Sequence, residues 1–157
     1  MLIKGIIDEN FQDYQLPSFY IAFPCCTFKC EKEAGINCCS NSSLACSPSI
    51  EVTAEQLISH YLSNFLTEAI VFGGLEPLDT FEDVIELVSK FREKTDDIIV
   101  IYTGYNEDEV TDKIEQLKQY KNIVVKFGRF IPNDTAHFDT VLGITLASQN
   151  QYGKKIS

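Results

Sequence analysis

The sequence predicts an α/β fold: a mainly parallel sheet with alternating helices, in a single domain spanning residues 1–157. Three observations carry that expectation. Short apolar runs of strand length recur along the chain, and segments with apolar residues at helical spacing separate them. No repeat, low-complexity tract or linker interrupts the alternation. Alternating strands and helices of this length imply parallel pairing through crossover connections.

The elements follow in order. Ser18 to Phe23 reads as a strand, ended by Pro24 and a cysteine-rich loop. Thr53-Ala54-Glu55-Gln56 is a capping box, in which hydroxyl and amide satisfy free backbone donors at a helix start. The helix it opens presents Leu57, Ile58, Tyr61, Leu62 and Phe65 as an apolar face. Ala69 to Phe72 is a second strand, running into Gly73-Gly74. A helix from Thr80 to Lys94 buries Phe81, Val84, Ile85, Val88 and Phe91. Ile98 to Tyr102 forms a third strand, and Asn106 caps a helix carrying Val110, Ile114 and Leu117. Ile123 to Phe127 and Val141 to Leu146 complete the set of strands. The loops after these strands bring the cysteines, Gly73-Gly74, Thr103-Gly104-Tyr105, Gly128-Arg129-Phe130 and Ser148-Gln149-Asn150 to one rim. In parallel α/β sheets that carboxyl-end rim is where ligands bind.

Composition narrows the function. A formal charge of −10 argues against nucleic acid as a partner, since phosphate binding needs a basic face. No run approaches the roughly 20 apolar residues of a membrane helix. The start, from Met1 to Ile7, is too short and too soon acidic for a signal peptide, so a cytoplasmic protein is expected.

All six cysteines, Cys25, Cys26, Cys30, Cys38, Cys39 and Cys46, fall in one short stretch. A disulfide framework would link distant parts of a small secreted domain, which this clustering does not. Soft thiolates gathered in a reducing compartment point to a metal, either an iron–sulfur cluster or zinc. Cys26 and Cys30 lie on one turn of loop, and a third ligand comes from Cys38, Cys39 or Cys46. Three thiolates leave one iron of a cluster open to a substrate; four would close a zinc site. Cys25 and Cys46 read as buried small residues or spare thiols. His60 and His137 have no ligand-like spacing to the cysteines.

Cys26-x3-Cys30 with a further cysteine, followed by Gly73-Gly74-Leu75-Glu76-Pro77, resembles the radical S-adenosylmethionine superfamily. Within it the chain is most similar to the activating proteins of anaerobic ribonucleotide reductase. Tyr102-Thr103-Gly104-Tyr105 and the segment from Gly143 to Gln151 carry that similarity. The superfamily's usual loop is C-x3-C-x2-C; here Glu33 stands at the last position and the spacing to Cys39 is x8. Leu75 is inserted in the usual Gly-Gly-Glu-Pro.

The resemblance implies a partial, open (βα) barrel and a [4Fe–4S] cluster on Cys26, Cys30 and Cys39. It implies S-adenosylmethionine as cosubstrate, cleaved reductively to a 5′-deoxyadenosyl radical. Gly73, Gly74, Glu76, Thr103, Lys126, Ser148 and Asn150 are the expected cosubstrate contacts, and Arg129 serves either ligand or partner. The implied partners are a large glycyl radical enzyme and a low-potential electron donor. Another peptide or a small substrate is the alternative target, and a structural zinc module the non-enzymatic one.

Overall fold

The computed structural model describes Met1–Ser157. Its strands are β1 (Leu2–Ile3), β2 (Gly5–Asn10), β3 (Ser18–Phe23), β4 (Ile50–Glu51), β5 (Ala69–Gly74), β6 (Ile98–Tyr102), β7 (Ile123–Phe127), β8 (His137–Asp139), β9 (Ile144–Leu146) and β10 (Tyr152–Lys155). The α-helices are α1 (Lys29–Ala34), α2 (Ser42–Cys46), α3 (Ala54–Ser63), α4 (Phe81–Arg92) and α5 (Thr111–Leu117). Six strands form an open sheet in the order β10-β7-β6-β5-β3-β2. The inner four are parallel, while β2 and β10 are antiparallel edges. No helix is long and apolar enough to cross a membrane.

The four parallel strands are continuous apolar runs because both faces of the sheet are covered. On one face Phe19, Ile21, Phe23, Ile70, Phe72, Ile99, Ile101, Val125 and Phe127 pack with α3, α4 and α5 in the main core. The capping box forms as expected: Thr53 Oγ1 accepts from Gln56 N at 3.2 Å, and Gln56 Oε1 accepts from Thr53 N at 2.8 Å. Residues one step along point to the opposite face, where Val71, Val100 and Val124 pack against Tyr14, Leu142 and Leu146. No helix covers that second face; the chain before β3 and the turn between β8 and β9 fill it.

Two expectations are corrected. Val141–Leu146 does not join the main sheet. Only its second half is strand, and β9 pairs antiparallel with β8 in a sheet of its own. Asp139 Oδ1 accepts from the amides of Val141 and Leu142, and Gly143 at φ +70 donates to Asp139 O, so the first half is a turn. The place beside β7 belongs to β10, which the sequence pattern missed. The apolar face of α3 is also shorter than expected. Leu62 lies within the helix but is 46% exposed, and the helix ends at Ser63, which leaves Phe65 95% exposed. In α4, Leu87 is fully buried and Ile85 only partly.

Candidate functional site

The cysteine loop leaves β3 at the carboxyl rim and is anchored from two sides. Glu76 N donates to Cys25 O at 2.7 Å, and Thr27 N donates to Asp79 Oδ2 at 2.8 Å. Asp79 Oδ1 accepts from the Tyr105 hydroxyl at 2.6 Å, so the loops after β3, β5 and β6 are tied together. Phe28 adopts a left-handed conformation at φ 53, and its amide donates to Cys26 Sγ at 3.2 Å. The chain then turns into α1, which carries Cys30. Further on, Asn41 Nδ2 donates to Gly74 O at 2.7 Å and Cys39 N to Glu31 Oε1 at 3.0 Å.

Cys26 and Cys30 line one pocket together with Thr27, Lys29, Glu76, Gly104, Tyr105 and Arg129. Gly104 keeps that space clear. A Cβ there would sit 3.5 Å from Cys30 Sγ and 3.6 Å from Glu76 Oε2. Burial raises the pKa of the Cys38 thiol, and the charges of Cys30, Glu31 and Cys39 add to it. The Cys26 thiol is pushed up to about 11, first by burial and then by Glu76, Asp79 and Cys30, against the Phe28 amide. No three His, Cys, Asp or Glu side chains converge on a single ion. Two of the thiols, Cys26 and Cys30, border one volume, as ligands to different irons of one cluster do, and Cys38 and Cys39 lie outside its lining. The soft donor set and the cleared wall opposite Cys30 fit a cluster.

Of the expected cosubstrate contacts only Glu76 lines this pocket; the others stand at the rim with different duties. Glu76 is buried. One carboxylate oxygen accepts from Gly104 N at 2.8 Å and the other from Leu78 N at 3.1 Å. Burial raises its pKa to about 7 despite these bonds and one with the Thr103 side chain. Thr103 Oγ1 also accepts from Tyr105 N at 3.0 Å. Lys126 is buried on β7, donates to Gly128 O at 2.8 Å and lies 5.9 Å from the centre of the Tyr102 ring. Burial lowers its pKa to about 8, opposed by the nearby Glu76 and Cys30.

Gly73 and Gly74 are required by packing. A Cβ at Gly73 would meet the Tyr20 hydroxyl at 2.6 Å, and one at Gly74 would meet Ala22 Cα and Phe23 N at 2.8 Å. Gly74 N also donates to the Tyr20 hydroxyl. Ser148 and Asn150 reach the rim, because β10 runs antiparallel to β7, but their polar groups are engaged there. Ser148 Oγ accepts from Ile131 N at 2.8 Å, and Asn150 Nδ2 donates to Arg129 O at 2.9 Å. Both hold the segment after β7 in place.

Sequence reasoning left several residues of this site without a role: Asp79, Gly104, Glu109 and Lys29. Tyr105 and Gly104 stood in a flagged motif, and Lys29 stood inside the Cys26-x3-Cys30 loop; Asp79 and Glu109 carry no local signal, since only the fold brings them to the cysteines.

A soft thiolate pocket at the carboxyl rim of a parallel sheet defines a metal-cluster domain, and the sequence comparison supplies the kind. The chain belongs to the 4Fe-4S single cluster domain family, whose model matches residues 19–151. It is therefore an iron–sulfur domain, and the zinc alternative gives way to the cluster. No curated protein and no solved structure matches the chain.

Proposed function

We propose that this domain binds a [4Fe–4S] cluster through three cysteines and cleaves S-adenosylmethionine reductively. In this reading it installs a glycyl radical on a separate anaerobic enzyme of the ribonucleotide reductase type. The observation that carries the reading is the direct docking of the Gly73-Gly74-Leu75-Glu76-Pro77 loop on the cysteine loop, through Glu76 N to Cys25 O at 2.7 Å and Asn41 Nδ2 to Gly74 O at 2.7 Å. A cosubstrate held by the glycine loop would lie beside an open iron.

Cys26 and Cys30 supply two thiolates, and the Cys38–Cys39 pair supplies the third. The spacing of the cysteines favours Cys39. The cluster supplies one electron at low potential to the sulfonium, and the protein supplies positioning and exclusion of side reactions. Glu76 orients the cosubstrate amino group and Lys126 neutralises its carboxylate, both being buried charges without a salt-bridge partner. Thr103 fixes the turn after β6 by accepting from Tyr105 N. Ser148 and Asn150 act by fixing the strand end that carries Arg129. A low-potential protein donor reduces the cluster.

A macromolecular target is favoured over a small one. Tyr14, Leu142 and Leu146 occupy the sheet face below the rim, where an open barrel would hold a small substrate. The test is anaerobic reconstitution, reduction with dithionite and assay of 5′-deoxyadenosine from S-adenosylmethionine. The reading predicts product from wild type and none from Cys26→Ala or Cys30→Ala. A brown, reduced protein that leaves S-adenosylmethionine intact would sink it.

A further inference from the structure

Helix α1 carries Cys30 but buries no residue of its own, and no side chain caps it. Left-handed residues bound it, Phe28 before and Gly35 after. Apolar burial, which holds α3, α4 and α5, therefore does not hold this helix. What does touch the rest of the molecule is charge. Lys29 and Glu33 stand one helical turn apart, on either side of Cys30, and both reach the same ion pair.

That pair is Arg129 with Glu109. Arg129, 6% exposed, donates from Nη1 and Nη2 to the two Glu109 carboxylate oxygens at 2.6 Å each. Asn106 N donates to Glu109 Oε2 at 2.8 Å, and Asn150 Nδ2 donates to Arg129 O at 2.9 Å, so both partners are fixed from behind. Onto this base α1 places two contacts. Lys29 Nζ lies 3.3 Å from Glu109 Oε1 and 4.4 Å from the centre of the Tyr105 ring. Glu33 Oε1 lies 3.0 Å from Arg129 Nε, which has no aligned hydrogen-bond partner.

We infer that Arg129 is a positioning residue: buried itself and held bidentately by the more exposed Glu109, it forms an ionic base on which Lys29 and Glu33 dock the helix that presents Cys30. The inference rests on the reading of Cys30 as a cluster ligand. It gives Arg129 a role inside the protein in place of the cosubstrate or partner contact that its position at the rim suggests. Because Lys29 and Glu33 are partly solvent-exposed, the docking weakens with salt, whereas the bidentate base is screened far less.

The test uses the full chain, anaerobically reconstituted, and follows iron release to a chelator at 0.05 M and 1 M NaCl. Two exposed pairs of ordinary strength give wild type a release rate about fivefold higher at high salt. Glu33→Gln and Lys29→Met release iron about threefold faster than wild type at low salt and respond less to salt. Arg129→Lys keeps the charge and recovers part of what Arg129→Gln loses. Arg129→Gln also leaves Glu33 without its partner and Glu109 with Lys29 alone, adding net negative charge beside Cys30. It shifts the reduction equilibrium against the reduced cluster by about tenfold, about 59 mV for one electron, which loss of folding alone does not produce. Wild-type release rates and salt response in Glu33→Gln and Lys29→Met overturn the inference, and neither surface change threatens the fold. Full iron retention in Cys30→Ala overturns the ligand reading itself, and the two failures are thus distinguishable.

Discussion

Replacing Gly74 by Ala tests the join between the sheet and the site. The added Cβ would lie 2.8 Å from Ala22 Cα and from Phe23 N, and 3.0 Å from Ala22 C. These are backbone atoms of the paired strand, so no side-chain rotation relieves the contact. Gly74 also holds φ +86, which costs an L-residue about 1–2 kcal/mol. Overpacking against a fixed neighbour adds about 1–3 kcal/mol. A loss of about 2–5 kcal/mol follows, a large part of the roughly 5–15 kcal/mol that a domain has in total. Gly73→Ala should cost less, because its Cβ meets only the Tyr20 ring and φ there is ordinary. Urea denaturation of the apo-protein under reducing, anaerobic conditions measures both. A Gly74→Ala loss below about 1 kcal/mol, or a larger loss for Gly73→Ala, refutes the reasoning.

Other expectations follow from the same geometry. Glu76 has a folded pKa of about 7, above the ordinary carboxyl value of 4.5, so the folded state holds its proton over that interval. Its contribution to stability is greatest below pH 4.5 and falls as pH rises to 7, by up to about 3 kcal/mol. Glu76→Gln should flatten that dependence in apo-protein melts; an unchanged slope counts against the buried carboxyl. Tyr20→Phe removes the acceptor for Gly74 N and should cost about 1–3 kcal/mol by denaturation. Thr53→Ala should cost about 1 kcal/mol through its lost helix cap, with no change in iron content. Cys25 and Cys46 are exposed, and the only tie at Cys25 that holds the site is its backbone carbonyl. Cys25→Ala and Cys46→Ala should therefore keep full iron, and a deficit in either would reassign the ligands.

The sheet's inner strands were legible because both of their faces are buried. Ile70 and Val71 are both apolar, for different neighbours, and such a run has few other readings. The capping box at Thr53 was equally plain, since its two bonds are local. What escaped was set by distant packing. Tyr152 to Lys155 carries too little apolar character to announce a strand, and β10 exists because β7 offers it an edge. Val141 and Leu142 look like strand but turn around Asp139. At the site, the thiols and glycines are recognisable residue by residue. The ionic base under α1 is not, because Lys29, Glu109 and Arg129 are far apart in the chain and each resembles an ordinary surface charge.

The most direct test of the three-thiolate, open-iron site is an electron paramagnetic resonance spectrum of the reduced, reconstituted protein, with and without S-adenosylmethionine. A cluster with one iron free for the cosubstrate gives a signal whose g-values shift when S-adenosylmethionine is added. A cluster closed by four protein ligands gives the same spectrum in both samples, and that result would contradict the account.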